Sequence, residues 1–229
     1  MKRPSTDKAF YTTGEYVGHF KPDSERNSFR GIYSEKRDYI VGQIDRIGGK
    51  NLRILDLGGG MGRITIPLAS RHRMVLADLS LDMLRLAGEA GNGFHRLNCD
   101  AEAPCFAGQS FDAVIAVDLV SHLPNLPHVL QELRRILRPK GYLMIDVTNS
   151  NPFWILNYPS YVNPWRQPGR WIRTFLGAGV PPEWQGRIHH LSKRRFARML
   201  RRSGFSVLDW AAFGPPWCPK WFLAVCRVE

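Results

Sequence analysis

The sequence predicts an α/β fold built on a largely parallel sheet, and three observations carry that expectation. Ile54, Leu55 and Leu57 form a short apolar run suited to a buried strand, and it passes directly into a turn made almost wholly of glycine, Gly58-Gly59-Gly60-Met61-Gly62. Further short apolar runs recur along the chain, separated by segments whose apolar residues follow helical spacing. Asp78 closes the second run, 20 residues beyond Gly58, where nucleoside-binding βαβ units hold ribose hydroxyls with a carboxylate. A strand that feeds a glycine turn, with an acid at this spacing, implies a site for a nucleoside-containing cofactor.

Length and composition bound the reading. With 229 residues, 44% of them hydrophobic, the chain can bury one substantial core, and a single domain over residues 1–229 with an insertion is the expected organisation. Cys99, Cys105, Cys218 and Cys226 contain no C-x-x-C pair, so free thiols are expected and no metal site. No apolar run follows Lys2, Arg3 and Lys8, and nowhere do about 18 apolar residues stand together; the expectation is a soluble, cytoplasmic protein. The net charge of +12 fits nucleic acid, an anionic membrane surface or an acidic substrate without choosing among them. Much of the excess lies in Lys193, Arg194, Arg195, Arg198, Arg201 and Arg202, which read first as a solvated helix face.

In chain order, residues 1–30 read as an irregular arm, and Ile32, Tyr33, Ile40, Val41, Ile44 and Ile47 give a helix from Ser28 to Ile47, stopped by Gly48-Gly49. After the first strand and its turn, Ile64, Ile66, Leu68 and Ala69 suit a second helix. The second strand is Met74 to Ala77, followed by a helix from Leu81 to Ala90, for which Ser80 is a better N-cap than Asp78. Phe94 to Leu97 is the third strand. Ser110 to Val117, almost continuously apolar, is the central fourth, with Asp118 at its end. Leu126 to Leu137 has helical spacing, Arg138-Pro139-Lys140-Gly141 breaks it, and Tyr142 to Val147 is the fifth strand. Residues 149–190 mix Trp154, Tyr158, Trp165 and other aromatics with six prolines, and read as an ordered lid or, alternatively, a small hydrophobic subdomain or dimer surface. A basic helix then leads to strands at Phe205 to Trp210 and Trp221 to Val228, joined by Gly214-Pro215-Pro216.

The glycine spacing narrows the cofactor. A dinucleotide fingerprint starting at Gly58 and Gly60 needs glycine where Arg63 stands. Glycines at 58, 60 and 62 behind Asp56 instead give acid-x-Gly-x-Gly-x-Gly, which resembles the first motif of the class I S-adenosylmethionine-dependent methyltransferases. The leucine-rich helix, the Arg-Pro-x-Gly turn and the final strand pair resemble the same family. This implies a three-layer Rossmann-like sheet in the order 3-2-1-4-5-7-6, strand 7 antiparallel, with residues 1–48 as arm and helix and 149–190 as the lid insertion.

The resemblance also implies a site. Asp56 would accept from the cofactor's amino group, Gly58, Gly60 and Gly62 would cradle it, and Asp78 would hold the ribose. Leu79 and Met83 would flank the adenine, Asp100 and the Ala101 amide would bind its edge, and Asp118 would border the reactive methyl. Tyr11, Tyr16, Trp154, Tyr158 and Trp165 are candidates for acceptor contact, and His122, His189 and His190 for a base. The implied reaction is methyl transfer to a small, aromatic or partly apolar metabolite. The alternatives are a quinone-type C-methyltransferase at a membrane surface, an RNA methyltransferase, and a cofactor-binding protein without catalysis.

Overall fold

The computed structural model describes residues 30–151 and 190–229. Its elements are α1 (Arg30–Ile47), β1 (Arg53–Leu57), α2 (Thr65–Leu68), β2 (Arg73–Asp78), α3 (Leu81–Ala90), β3 (His95–Asn98), β4 (Phe111–Ala116), α4 (Leu126–Ile136), β5 (Leu137–Asn149), β6 (His190–Leu191), α5 (Lys193–Arg202), β7 (Phe205–Phe213) and β8 (Trp221–Val228). A 3-10 turn, Val120–His122, follows β4.

The strands form one sheet in the order β3-β2-β1-β4-β5-β8-β7, with β6 paired to the end of β5. β8 runs antiparallel to both β5 and β7, and the other pairs are parallel. This is the expected topology with one addition, the two-residue β6, too short to leave a periodic signal.

Alternation along the strands divides the core in two. Ile54, Ala113, Ile115, Met144, Leu223 and Val225 face α1 and α2, packing with Ile40, Ile44 and Leu68. Leu55, Leu57, Val114, Leu143, Ile145 and Ala224 face α4 and α5, packing with Val129, Leu130, Leu133, Phe196 and Leu200. Each of the larger side chains, all but the two alanines, stabilises the fold by about 1.5–3 kcal/mol relative to exposure, so the helices are held by their apolar faces. Three of them start at side-chain caps, of which the sequence reading named Ser80: Ser80 accepts from the Met83 amide, Asn125 from the His128 amide and Ser192 from the Arg195 amide.

The helix expected behind the glycine turn is present as the single turn α2, which starts at Thr65 after Gly62 at φ +79°. One expectation needs correcting. The Arg138 to Gly141 stretch does not separate α4 from the fifth strand. β5 begins at Leu137, paired to Phe111, and the register then jumps to Ala113 with Tyr142 around Lys140 at φ +63°, as a bulge does.

Candidate functional site

Parallel strands end together, so their carboxyl ends gather the loops that can hold a ligand. Here they gather acids: Asp100 after β3, Asp78 at the end of β2, Asp56 on β1, Asp118 after β4 and Asp146 on β5.

The glycine loop crosses the end of β1. Gly58, Gly60 and Gly62 all hold left-handed backbone, at φ +72°, +55° and +79°, which accounts for glycine at each. Gly59 is glycine for a different reason. A Cβ there would lie 2.3 Å from Leu76 and 2.6 Å from the Asp56 carboxyl, so the loop rests directly on that acid. Sequence spacing did not single out Gly59.

Asp78 links the loop to β2. Its carboxylate accepts from the Gly60 amide at 2.9 Å and the Ser80 amide at 2.8 Å. Burial raises its pKa and those amides partly offset the rise. Two lone pairs serve the backbone, leaving acceptor capacity for a diol.

Asp56 lies beneath the loop rather than on its surface. It is 1% exposed, and one carboxylate oxygen accepts from the Thr65 hydroxyl at 2.7 Å. Its other oxygen is buried without a hydrogen-bond partner among the described residues. Burial pushes its pKa up to about 6, against the pull of Thr65 and with a contribution from Asp78. A buried carboxylate with an unused oxygen fits a ligand that brings a cationic amino group.

The remaining predicted cofactor positions divide by exposure. Leu79 is half-buried, whereas Met83 is 3% exposed and Ala101 7%; Ala101 packs with the core under α4. Asp100 is half-buried, and its carboxylate accepts from the Glu102 amide at 3.0 Å, closing a local turn. His122 is half-buried in the 3-10 turn. His190 sits on β6 with Nδ1 3.2 Å from the Asn149 carbonyl. Tyr11, Tyr16, Trp154, Tyr158, Trp165 and His189 lie outside the described residues.

At the ends of β4 and β5 stands a cluster the sequence reading missed. Lys36 of α1 is 2% exposed and places Nζ 2.7 Å from Asp118 and 2.6 Å from Asp146. Asp146 also accepts from the Asp118 amide at 2.8 Å, which holds Asp118 at φ +55°. Burial alone would lower the Lys36 pKa, but the two carboxylates reverse this and raise it, so Lys36 stays a cation. Its ammonium lies 4.5 Å from the centroid of the Trp221 ring, and Tyr33 packs on that ring at 5.8 Å. Ser121 and Thr148 share a buried hydroxyl hydrogen bond of 2.8 Å nearby. Two signals were available in the chain. Lys36 stands midway between Ile32 and Ile40 on the apolar stripe of α1, and Asp146 interrupts an apolar strand.

A groove of about 840 Å³ opens at the opposite ends of the strands, lined by Arg134, Arg135, Leu137, Arg201 and Arg202 among others. It contains none of the glycine loop and none of the carboxylates gathered at the carboxyl ends of the strands.

Comparison with known proteins accords with this geometry. A family model described as a methyltransferase domain matches residues 31–209. A ubiquinone biosynthesis O-methyltransferase of Cereibacter sphaeroides (strain KD131 / KCTC 12085) is 30% identical over 145 residues, 59% of this chain and 58% of that protein. The chain therefore spans somewhat over half the length of that relative. A ubiquinone biosynthesis O-methyltransferase of Ruegeria pomeroyi is 28% identical over 211 residues, 86% of this chain and 78% of its own. Among solved structures, magnesium protoporphyrin IX methyltransferase from Synechocystis PCC 6803 with bound SAH has a TM-score of 0.73 at 15% identity, covering 97% of this chain and 100% of that one. At that identity the likeness concerns the fold.

Proposed function

The chain belongs to the methyltransferase-domain family, and we propose that it transfers the methyl group of S-adenosylmethionine to a small, aromatic or partly apolar metabolite. The observation that carries this reading is the buried, half-satisfied Asp56 beneath a loop with three left-handed glycines, beside Asp78. S-adenosylmethionine, when bound, supplies a methyl group already activated on a sulfonium.

The chain's own residues then have few tasks. Gly58, Gly60 and Gly62 let the backbone approach the cofactor, and Asp78 accepts from its ribose. Asp56 offers its free oxygen to the amino group through the loop. Asp100 and the Ala101 amide take the adenine edge, with Leu79 and Met83 as its apolar support. Asp118 borders the methyl. Tyr11, Tyr16, Trp154, Tyr158 and Trp165 are assigned to acceptor contact and exclusion of water. Proton removal from the acceptor is the step that needs a titrating side chain, and His122, His189 and His190 are the sequence-derived candidates. The test is a screen of catechols, phenols and their carboxylic acids with labelled S-adenosylmethionine. Methylation of one acceptor class supports the reading, and cofactor binding without transfer to any acceptor leaves a binding protein instead.

A second reading concerns where the enzyme works. α5 carries six exposed basic residues and no acid, and none of the six forms an ion pair with a carboxylate among the described residues. Elsewhere several arginines are paired, as in Arg85 with Asp82 and Arg135 with Glu132. A bare cationic face suits peripheral contact with an anionic membrane, where an apolar acceptor would be met. Binding to anionic but not neutral vesicles supports this. Steeply salt-dependent RNA binding would point to an RNA substrate instead.

A further inference from the structure

The groove of about 840 Å³ at the ends of the strands opposite the glycine loop has no part in the proposed methyl transfer, yet two helix ends build it together. Arg134 and Arg135 stand in the last turn of α4, and Arg201 and Arg202 in the last turn of α5. A basic residue in a last turn complements the helix dipole, which accounts for each helix separately. It does not account for both ends opening on one concave space.

The four arginines differ in their commitments. Arg135 donates to the Glu132 carboxylate at 2.7 Å and to the Phe106 and Pro104 carbonyls at 2.8 and 3.3 Å. Arg134, Arg201 and Arg202 form no ion pair with a carboxylate among the described residues. Arg134 is nonetheless held in place. The chain leaves α5 through Gly204 at φ +80°, whose amide donates to the Arg201 carbonyl at 3.0 Å, and a Cβ at Gly204 would lie 2.5 Å from Arg134 Nε and 2.8 Å from its Cζ. The guanidinium of α4 therefore lies against bare backbone at the end of α5, and glycine is needed there both for its φ and for the close approach. One acidic side chain, Glu229, also lines the groove, and it accepts from the Ser206 hydroxyl at 2.7 Å. Three guanidiniums without a carboxylate stand against that single acid, and the excess calls for an anion.

We propose that this groove is a second ligand site, which takes the phosphate monoester or diphosphate group of a soluble small molecule on Arg134, Arg201 and Arg202. A phosphate monoester carries up to about two negative charges near neutrality and three acceptor oxygens, and guanidinium forks meet such oxygens with parallel hydrogen bonds. A single carboxylate would leave much of the positive excess uncompensated. The volume is that of a small-molecule cleft, about 300–1,000 Å³. A membrane surface or an RNA backbone needs no such hollow, and is served instead by the exposed Lys193, Arg194 and Arg198 earlier on α5. Gln109 and Gln131 in the lining offer amide donors and acceptors to the rest of the ligand. Binding here is independent of what is methylated at the carboxyl ends of the strands.

The test is calorimetric titration of the full chain with inorganic pyrophosphate at low salt. The wild type should bind one equivalent, and Arg134→Gln or Arg201→Gln should weaken binding by about tenfold or more, the loss of a charge-assisted contact. Arg134→Lys keeps the charge but not the fork, and should weaken binding as well. Arg71→Gln removes the same charge outside the groove, from a pair with Asp45, and should bind as the wild type does. These arginines are exposed, so the urea midpoints should stay close to that of the wild type. Absence of pyrophosphate binding overturns the assignment. So do several equivalents bound, full affinity in Arg134→Lys, or an equal loss in Arg71→Gln, since each describes a diffuse positive surface. Phosphatidate vesicles and a short single-stranded RNA are the remaining arms. Binding of either that depends on Arg134 and is not displaced by pyrophosphate gives the groove to a lipid headgroup or a nucleic acid and overturns the soluble ligand.

Discussion

Replacing Lys36 with methionine is the sharpest perturbation of the site's frame. Lys36 and Asp146 are each 2% exposed and 2.6 Å apart. At an effective dielectric of about 20, that separation corresponds to about 6 kcal/mol of attraction, most of it opposed by desolvation of the two ions. Methionine keeps the length and the packing on Trp221 but strands Asp146, and removing one partner of a buried pair costs about 3–5 kcal/mol. Asp118 adds little, since its side chain is 41% exposed and water can replace the lysine. Asp146→Asn in the same background removes the stranded charge and keeps an acceptor for the Asp118 amide, 2.8 Å away. Urea unfolding of the ligand-free protein reads all four corners of the double-mutant cycle. The expected outcome is a loss of about 3–5 kcal/mol for Lys36→Met, with about 2 kcal/mol or more regained in the double variant. A loss under about 1 kcal/mol, or additive effects, refutes a dry ion pair and leaves a solvated contact.

Asp78→Ala should weaken S-adenosylhomocysteine binding by about 1–3 kcal/mol, read by calorimetry, since it removes charge-assisted acceptors from both the ribose and the loop. Gly59→Ala should destabilise the fold by about 1–3 kcal/mol and cost cofactor affinity, because its Cβ meets Leu76 and Asp56 at 2.3 and 2.6 Å; an unchanged urea midpoint would count against the close-packed loop. Asp56 carries a pH signature. Its pKa is raised from 3.8 to about 6, so between those values the native state binds a proton that the unfolded chain does not. Stability from this group therefore rises as pH falls through about 6, by up to about 3 kcal/mol. Asp56→Asn should lack that gain, and the difference between the two proteins isolates it from His72, whose pKa burial lowers. Identical pH profiles would mean that Asp56 is hydrated.

Much of the frame was legible because it is written locally. Strand β1 and its glycine turn, helix α3 with its Ser80 cap, and strand β8 follow from apolar runs and cap chemistry, and their bounds agree within a residue. The Asp56, Asp78, Asp100 and Asp118 positions follow because acids at strand ends are set by chain spacing. What escaped was tertiary. Lys36 meets Asp118 and Asp146 across separations of 82 and 110 residues, and no local period encodes such a meeting. The charged residue on the apolar stripe of α1 was a warning that a partner had to exist. Gly59 was overlooked because its need is a close approach by Leu76, not a positive φ.

The most direct measurement is calorimetric titration of the wild type and Asp78→Ala with S-adenosylmethionine and S-adenosylhomocysteine, with NAD as the control. The expected result is micromolar binding of the first two by the wild type, weakened in the variant, and no binding of NAD. Binding of NAD alone would contradict the central claim and return Arg63 to the place of a tolerated departure from a dinucleotide loop.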